Sequence, residues 1–219
     1  MMNLVLNRRA LLGALTASLV AVALPSFANE TYKLEGYRSA TFGMSDAEVR
    51  KAIAKDFPKE LAKIKVEQHP MEQTQVLVID ALNLVEDAGP AKISYVLGYK
   101  TKKLIQVNVV WGDAAITDSK VGVEDLKKAA QNLVRYFGQY NYKEGSVEVK
   151  KQLADGSLMV FKANDEKNHT VSLRLGAVPK PLPKDAKPDT KPDAAYFLRL
   201  SYVLDEANPD IYKIEKGAF

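Results

Sequence analysis

The chain has 219 residues, with 31 Lys plus Arg against 27 Asp plus Glu, two histidines and no cysteine. The missing thiol excludes disulfide frameworks, thiolate zinc or iron–sulfur centres and a cysteine nucleophile. With 47% hydrophobic and 26% charged residues, the composition is that of a folded domain, not of a disordered chain or a multispan membrane protein.

Residues 1–28 read as a cleaved export signal. Arg8 and Arg9 precede an apolar, small-residue run from Ala10 to Leu24, and Pro25 is followed by Ser26-Phe27-Ala28, which places the cut after Ala28. The run is too short and too rich in small residues to anchor in a bilayer, and no cysteine follows it to carry a lipid, so no stable membrane insertion is expected. Asn7 and Leu11 stand where a twin-arginine signal has Ser or Thr and Phe, so the expectation is Sec export, ahead of Tat, of a soluble periplasmic protein formed by residues 29–219 as one domain. Losing Arg8 and Arg9 lowers the excess of basic over acidic residues from four to two. A surface that evenly charged gives no drive toward nucleic acid.

The first helix is announced by Phe42-Gly-Met-Ser-Asp-Ala-Glu-Val-Arg-Lys-Ala-Ile53. Ser45 and Glu48 have capping-box spacing, Met44 and Val49 are placed as a hydrophobic staple, and Val49, Ile53 and Phe57 form an apolar stripe that Pro58 ends. Period-two patterning follows at 64–68 (weakly), 75–81, 93–99 and 105–111, with Asp87 to Pro90 as a turn and Lys100, Lys102 and Lys103 at a hairpin tip, where lysines protect a strand edge. Trp111 reads as core edge. Val123, Leu126, Ala130, Leu133, Val134 and Phe137 then mark a second helix, which Gly138 is predicted to end in a left-handed cap. Strands are predicted over 147–153, 157–162, 171–176 and 196–204, the first two joined at Asp155-Gly156. The order implies an α+β fold of two helix-plus-antiparallel-meander halves, about 40–115 and 120–210, with the helices on one face of the sheet.

The segment 179–193 holds five of the ten prolines and reads as a solvated loop. It is either a tolerated insertion or a partner-contacting arm, in which case Lys180, Leu182 and Lys184 are its contacts. Tyr136, Tyr140 and Tyr142 cluster around the end of the second helix, either covering the helix–sheet seam or forming a rim that binds a partner such as a peptide or sugar.

No phosphate-binding glycine loop, dinucleotide fingerprint, nucleophile elbow or zinc-protease motif occurs, so neither a cofactor nor a catalytic residue is assigned. His69, near Glu67 and Glu72 and before Pro70, reads as a surface turn residue; His169 follows Asn164, Asp165 and Glu166, which read as turn formers, so no metal ligand is assigned either. A carboxylate pair assembled only by folding stays open.

The stretch Phe42 to Ile53 resembles the helix-opening motif of SmpA/OmlA-type and β-lactamase-inhibitor-like periplasmic domains, with Gly43, Met44, Ser45, Glu48 and Val49 at the matching positions. The resemblance implies an antiparallel sheet after the helix and a non-enzymatic module that binds other envelope proteins. That is the leading expectation; a carrier of a small apolar or lipidic ligand is second, and an unrecognised hydrolase third.

Overall fold

The computed structural model describes residues 31–116, 119–180, 192–214 and 217. The export-signal reading of residues 1–28 falls outside them.

Two short strands, β1 (Gly36–Tyr37) and β2 (Ala40–Thr41), form a hairpin ahead of the first helix. Sequence patterning missed them because two residues carry no periodicity. Helix α1 (Asp46–Asp56) opens as its capping box requires. The Ser45 backbone N–H and hydroxyl both donate to the Glu48 carboxylate, at 2.7 and 2.6 Å. Val49 and Ile53 are fully buried and Phe57 is the half-buried C-cap.

After a single 3₁₀ turn (Leu61–Lys63) come β3 (Lys65–Gln68), β4 (Gln75–Ala81), β5 (Ala91–Leu97) and β6 (Leu104–Trp111). Helix α2 (Val123–Phe137) leads to β7 (Glu148–Gln152), β8 (Leu158–Asn164), β9 (Thr170–Pro179) and β10 (Ala194–Val203). The eight strands form one antiparallel sheet in the order β3-β4-β5-β6-β10-β9-β8-β7. The chain is therefore α+β. Its last strand, β10, enters the middle of the sheet beside β6. Both edges are short, and Lys65 on β3 and Lys150 and Lys151 on β7 discourage pairing with another chain.

Strand alternation sends one set of side chains to the helices. Leu77, Tyr95, Val107, Tyr202 and Val171 are in register across five strands, as are Ile79, Ile93, Val109, Leu200 and Leu173 in the next row. These residues share one buried cluster with Val49, Ala52 and Ile53 of α1 and with Leu126, Ala129, Ala130, Val134 and Phe137 of α2, so both helices pack on the same face.

Two expectations are corrected in detail. Gly138 does not adopt a left-handed cap: its φ is −68°, and its N–H donates to Val134 O at 2.8 Å. The helix exit is set by the tyrosines beyond it, since Tyr140 N–H and Tyr142 OH both donate to Phe137 O, at 3.2 and 3.0 Å, and keep the chain in a right-handed turn. Trp111 is core and not core edge, 1% exposed, with an indole N–H that finds no acceptor among the described residues.

Candidate functional site: the open face of the sheet

The same register defines the second face of the sheet, the one away from the helices. Its middle row runs Lys65, Val78, Ser94, Asn108, Ser201, Ser172, Lys162, Glu148. Beside it lies Asp80, Lys92, Val110, Arg199, Arg174, Met159, Lys151. The centre is thus a strip of small polar side chains bordered by a row rich in cations. Asn108 Oδ1 accepts from the Gln106 amide at 2.9 Å and from the Ser201 hydroxyl at 2.7 Å, which fixes the strip's donors and acceptors.

Arg174 and Arg199 stand directly opposite each other on β9 and β10. Both guanidiniums lie over the Phe197 ring, 5.7 and 5.6 Å from its centroid. The ring lies against Gly176, its cross-strand partner, where a Cβ would meet Phe197 Cζ at 2.6 Å; only glycine leaves room for it. Arg174 donates to the Ser157 hydroxyl at 2.6 Å and pairs with Asp155. The Ser157 hydroxyl and N–H, which donate to Asp155, and then the Arg174 charge hold that carboxyl below its usual range. Arg199 reaches solvent, but neighbouring groups strip part of its water and Arg174 repels it, which lowers its pKa from the ordinary arginine value.

The C-terminal segment 204–214 runs along this face as a strap. Leu204 N–H donates to Ile105 O, Tyr99 N–H to Asp210 O, and Tyr212 N–H to Glu72 O, at 2.9, 2.8 and 2.9 Å. The Asp210 carboxylate clasps the β5–β6 turn, accepting from the Lys100 and Thr101 N–H groups and the Thr101 hydroxyl at 2.9, 2.8 and 2.6 Å. A Cβ at Gly98 would collide with this carboxylate. Burial alone would raise the pKa of Asp210, but these donors outweigh it and hold the group below the usual range. Between strap and arginine pair lies a groove of about 280 Å³, with Gln106, Ser201 and Ser172 at its base and Pro209 and Ile211 along the strap side. A larger cleft of about 870 Å³ adjoins it, lined by Gln106, Asn164, His169, Asp205 and Glu206 among others.

The sequence-predicted residues lie elsewhere. Tyr136 in the last turn of α2 and Tyr140 and Tyr142 just beyond it come together. Tyr140 and Tyr142 pack against Tyr32 at 4.7 and 5.7 Å between centroids, Tyr142 also against Phe161, while Tyr136 is exposed. Burial pushes the Tyr142 phenol well above its ordinary pKa. Lys180 donates to Asp113 at 3.0 Å, beside the Ser119 hydroxyl, and closes the β9–β10 hairpin through an N–H to Asp193 O at 2.7 Å. Leu182 and Lys184 lie outside the described residues, as does most of the loop. Ser45 and Glu48 are the helix cap described above.

His69 is exposed, its Nδ1 accepting from the Glu72 N–H at 3.0 Å. His169 Nδ1 lies 2.7 Å from Leu34 O and 3.2 Å from Asp165 Oδ2, and Asp165 accepts the Leu34 N–H at 3.1 Å. The pair holds the N-terminal segment against the β8–β9 turn. No group of three or more acidic or histidine side chains suited to a metal occurs among the described residues.

Sequence reasoning missed Phe197, Arg174 and Arg199. A signal for them was present: in Val171-Ser-Leu-Arg-Leu-Gly176 and Phe197-Leu-Arg-Leu-Ser201 each arginine occupies the phase opposite the buried leucines. What patterning lacks is the pairing that sets the two side by side. No family model, no curated protein and no solved structure matches the chain.

Proposed function

We propose that the protein is an exported, periplasmic, non-enzymatic module that binds another envelope protein on the open face of its sheet. The observation that carries this reading is the one-sided architecture: both helices pack on one face, and the other offers a strip of Ser94, Asn108, Ser201 and Ser172 bordered by arginines. The proposal divides the fold into two helix-plus-meander halves, β3 to β6 behind α1 and β7 to β10 behind α2, joined at the β6–β10 pair. It is supported at sequence level by the Phe42–Ile53 motif, whose resemblance to periplasmic binding domains implies the same mode of action, and by the export signal. Tyr136 and the proline-rich loop are further partner contacts in this reading.

A carrier of an apolar ligand calls for an enclosed apolar cavity of roughly 300 Å³ or more. The 870 Å³ cleft mixes Ile105, Val203 and Leu204 with Asn164, His169, Asp205 and Glu206 and opens to solvent, so it is not an enclosed apolar cavity. The test is site-specific photocrosslinking in the native envelope, with a photoreactive residue at Asn108 and a control at Lys128 on the outside of α2. A discrete crosslinked partner from Asn108 and none from Lys128 is the expected result. Equal crosslinking from both positions, or none from either, refutes the reading.

A further inference from the structure

The open face carries an arginine that no acidic side chain among the described residues pairs with directly. Among the described residues of that face, Lys151 pairs with Glu148 at 2.7 Å, Lys162 with Glu206 at 2.5 Å and Arg174 with Asp155, while Lys92 stands in register with Asp80. Among the described residues Arg199 makes no salt bridge: Asp155, which attracts it, is already engaged by Arg174 and Ser157, and its register neighbours are Val110 and a second arginine. Like charges directly opposite one another on a sheet destabilise it, so the arrangement costs stability in the unbound protein. The guanidinium is also positioned: it lies over the Phe197 ring, which packs against Gly176, and lines a groove with the Ser172 hydroxyl, while the Ser201 hydroxyl and Gln106 amide of that groove are engaged by Asn108, and Glu206 by Lys162.

We propose that Arg199 is the receptor for a carboxylate side chain of a partner's acidic, extended segment, which lies in the groove between the arginine pair and the strap. A guanidinium with free donors matches a carboxylate bidentately, and the partly dehydrated setting strengthens that match. At about 280 Å³ the groove falls below the usual size of a whole-ligand pocket, roughly 300–1,000 Å³, and suits a few side chains. Met159 and Val96 on the sheet and Ile211 on the strap offer apolar contact to the residues flanking the acid. This inference rests on the reading of the open face as a protein-docking surface and names the chemistry of the segment docked there.

The test is a ¹⁵N NMR titration of the protein, following the arginine Nε–H signals and the Ser172 and Ser201 amides. The probes are acetyl-Ser-Leu-Glu-Leu-Ser-amide at millimolar concentration, its glutamine analogue and inorganic phosphate. The acidic peptide is expected to shift Arg199 Nε–H and the serine amides, with binding weakened about tenfold or more by the Glu-to-Gln change in the peptide or by Arg199→Gln in the protein. Arg199→Gln also relieves the repulsion of Arg174, so its melting temperature should equal or exceed that of the parent, which separates lost recognition from lost folding. Equal binding of the two peptides, equal binding by R199Q, or silence with every probe overturns the proposal. Phosphate shifting these signals while the peptide does not makes this a small-anion site and overturns the choice of occupant. Photocrosslinking at Asn108 in the R199Q chain separates the two levels: a persisting crosslink with no peptide binding removes only the acidic contact, whereas loss of the Asn108 crosslink in the parent removes the docking reading itself.

Discussion

Asp210→Ala should release the strap without unfolding the domain. The substitution removes three acceptor bonds, from the Lys100 and Thr101 amides and the Thr101 hydroxyl. Bonds to a carboxylate reach about 1.5–3 kcal/mol each, but these sit at the surface, where water competes, so about 0.5–1 kcal/mol each is the appropriate figure. The total, about 1.5–3 kcal/mol, corresponds to a roughly 10- to 150-fold increase in strap opening. Hydrogen exchange reads this directly: the amides of Tyr99, Lys100, Thr101 and Tyr212, all bonded within the clasp or along the strap, should exchange faster by that factor, while β5 and β6 amides keep their protection. The clasp should also loosen in acid. The folded-state pKa of Asp210 is depressed, so its contribution is complete above the unfolded carboxylate value of about 4 and is lost as pH falls through the lower folded value. Unchanged exchange at Thr101 and Tyr212 in Asp210→Ala would refute the assignment of Asp210 as the clasp. Parallel loss of protection throughout β5 and β6 would show the strap to be integral to the fold.

Ser45→Ala should cost about 1 kcal/mol in urea unfolding by weakening the start of α1, with no effect on partner crosslinking; an unchanged unfolding midpoint together with lost crosslinking would make Ser45 a contact residue. Gly176→Ala places a methyl group 2.6 Å from Phe197 Cζ and 2.9 Å from Ser157 Cβ, and should destabilise by about 1–3 kcal/mol while displacing the ring and with it both guanidiniums. A midpoint equal to the parent's would mean that the ring swings aside freely. Replacing residues 181–191 with a short Gly-Ser turn should leave the melting temperature within a few degrees, because β9 and β10 remain paired up to Pro179 and Ala194; outright unfolding would contradict that hairpin.

Local order was legible because local rules govern it. Ser45 and Glu48 spell the capping box, Asp155-Gly156 the β7–β8 turn, and the alternation around Ile93 and Val109 the central strands, each within a few residues of sequence. Pairings between distant segments leave no such trace. That β10 joins β6, setting Leu200 against Val109 more than ninety positions away, depends on closing the chain and not on any window of residues. The site inherits this limit, since Arg199 becomes unusual only once Arg174 is known to face it. Gly138 failed for a related reason: its sequence position is that of a helix-ending glycine, but Tyr140 and Tyr142 return to Phe137 and decide the turn. The strap was invisible because Asp205 to Asp210 carries no periodicity, and the purpose of Asp210 appears only beside Thr101.

The open face also departs from what a strand prefers. Ser and Asn are poorer strand residues than Val, Ile, Thr or Tyr, because they offer little side-chain surface to cross-strand neighbours. Ser94, Asn108, Ser201 and Ser172 nevertheless occupy consecutive strands, β5, β6, β10 and β9, in the centre of the sheet, where strand preference matters most. On the helix side the same four strands carry Ile93, Val109, Leu200 and Leu173, so the sheet keeps its order from the packed face alone. Solubility does not require the polar row, since charged long-chain residues serve that end at the edges, on Lys65 and Lys151. A row of short side chains beside an arginine that makes no salt bridge among the described residues leaves Ser94, Asn108 and Ser172 partly exposed to whatever lies on the sheet. Local choices that conflict with the fold's own preferences concentrate where a surface is used, and here they fall on the face the helices leave free.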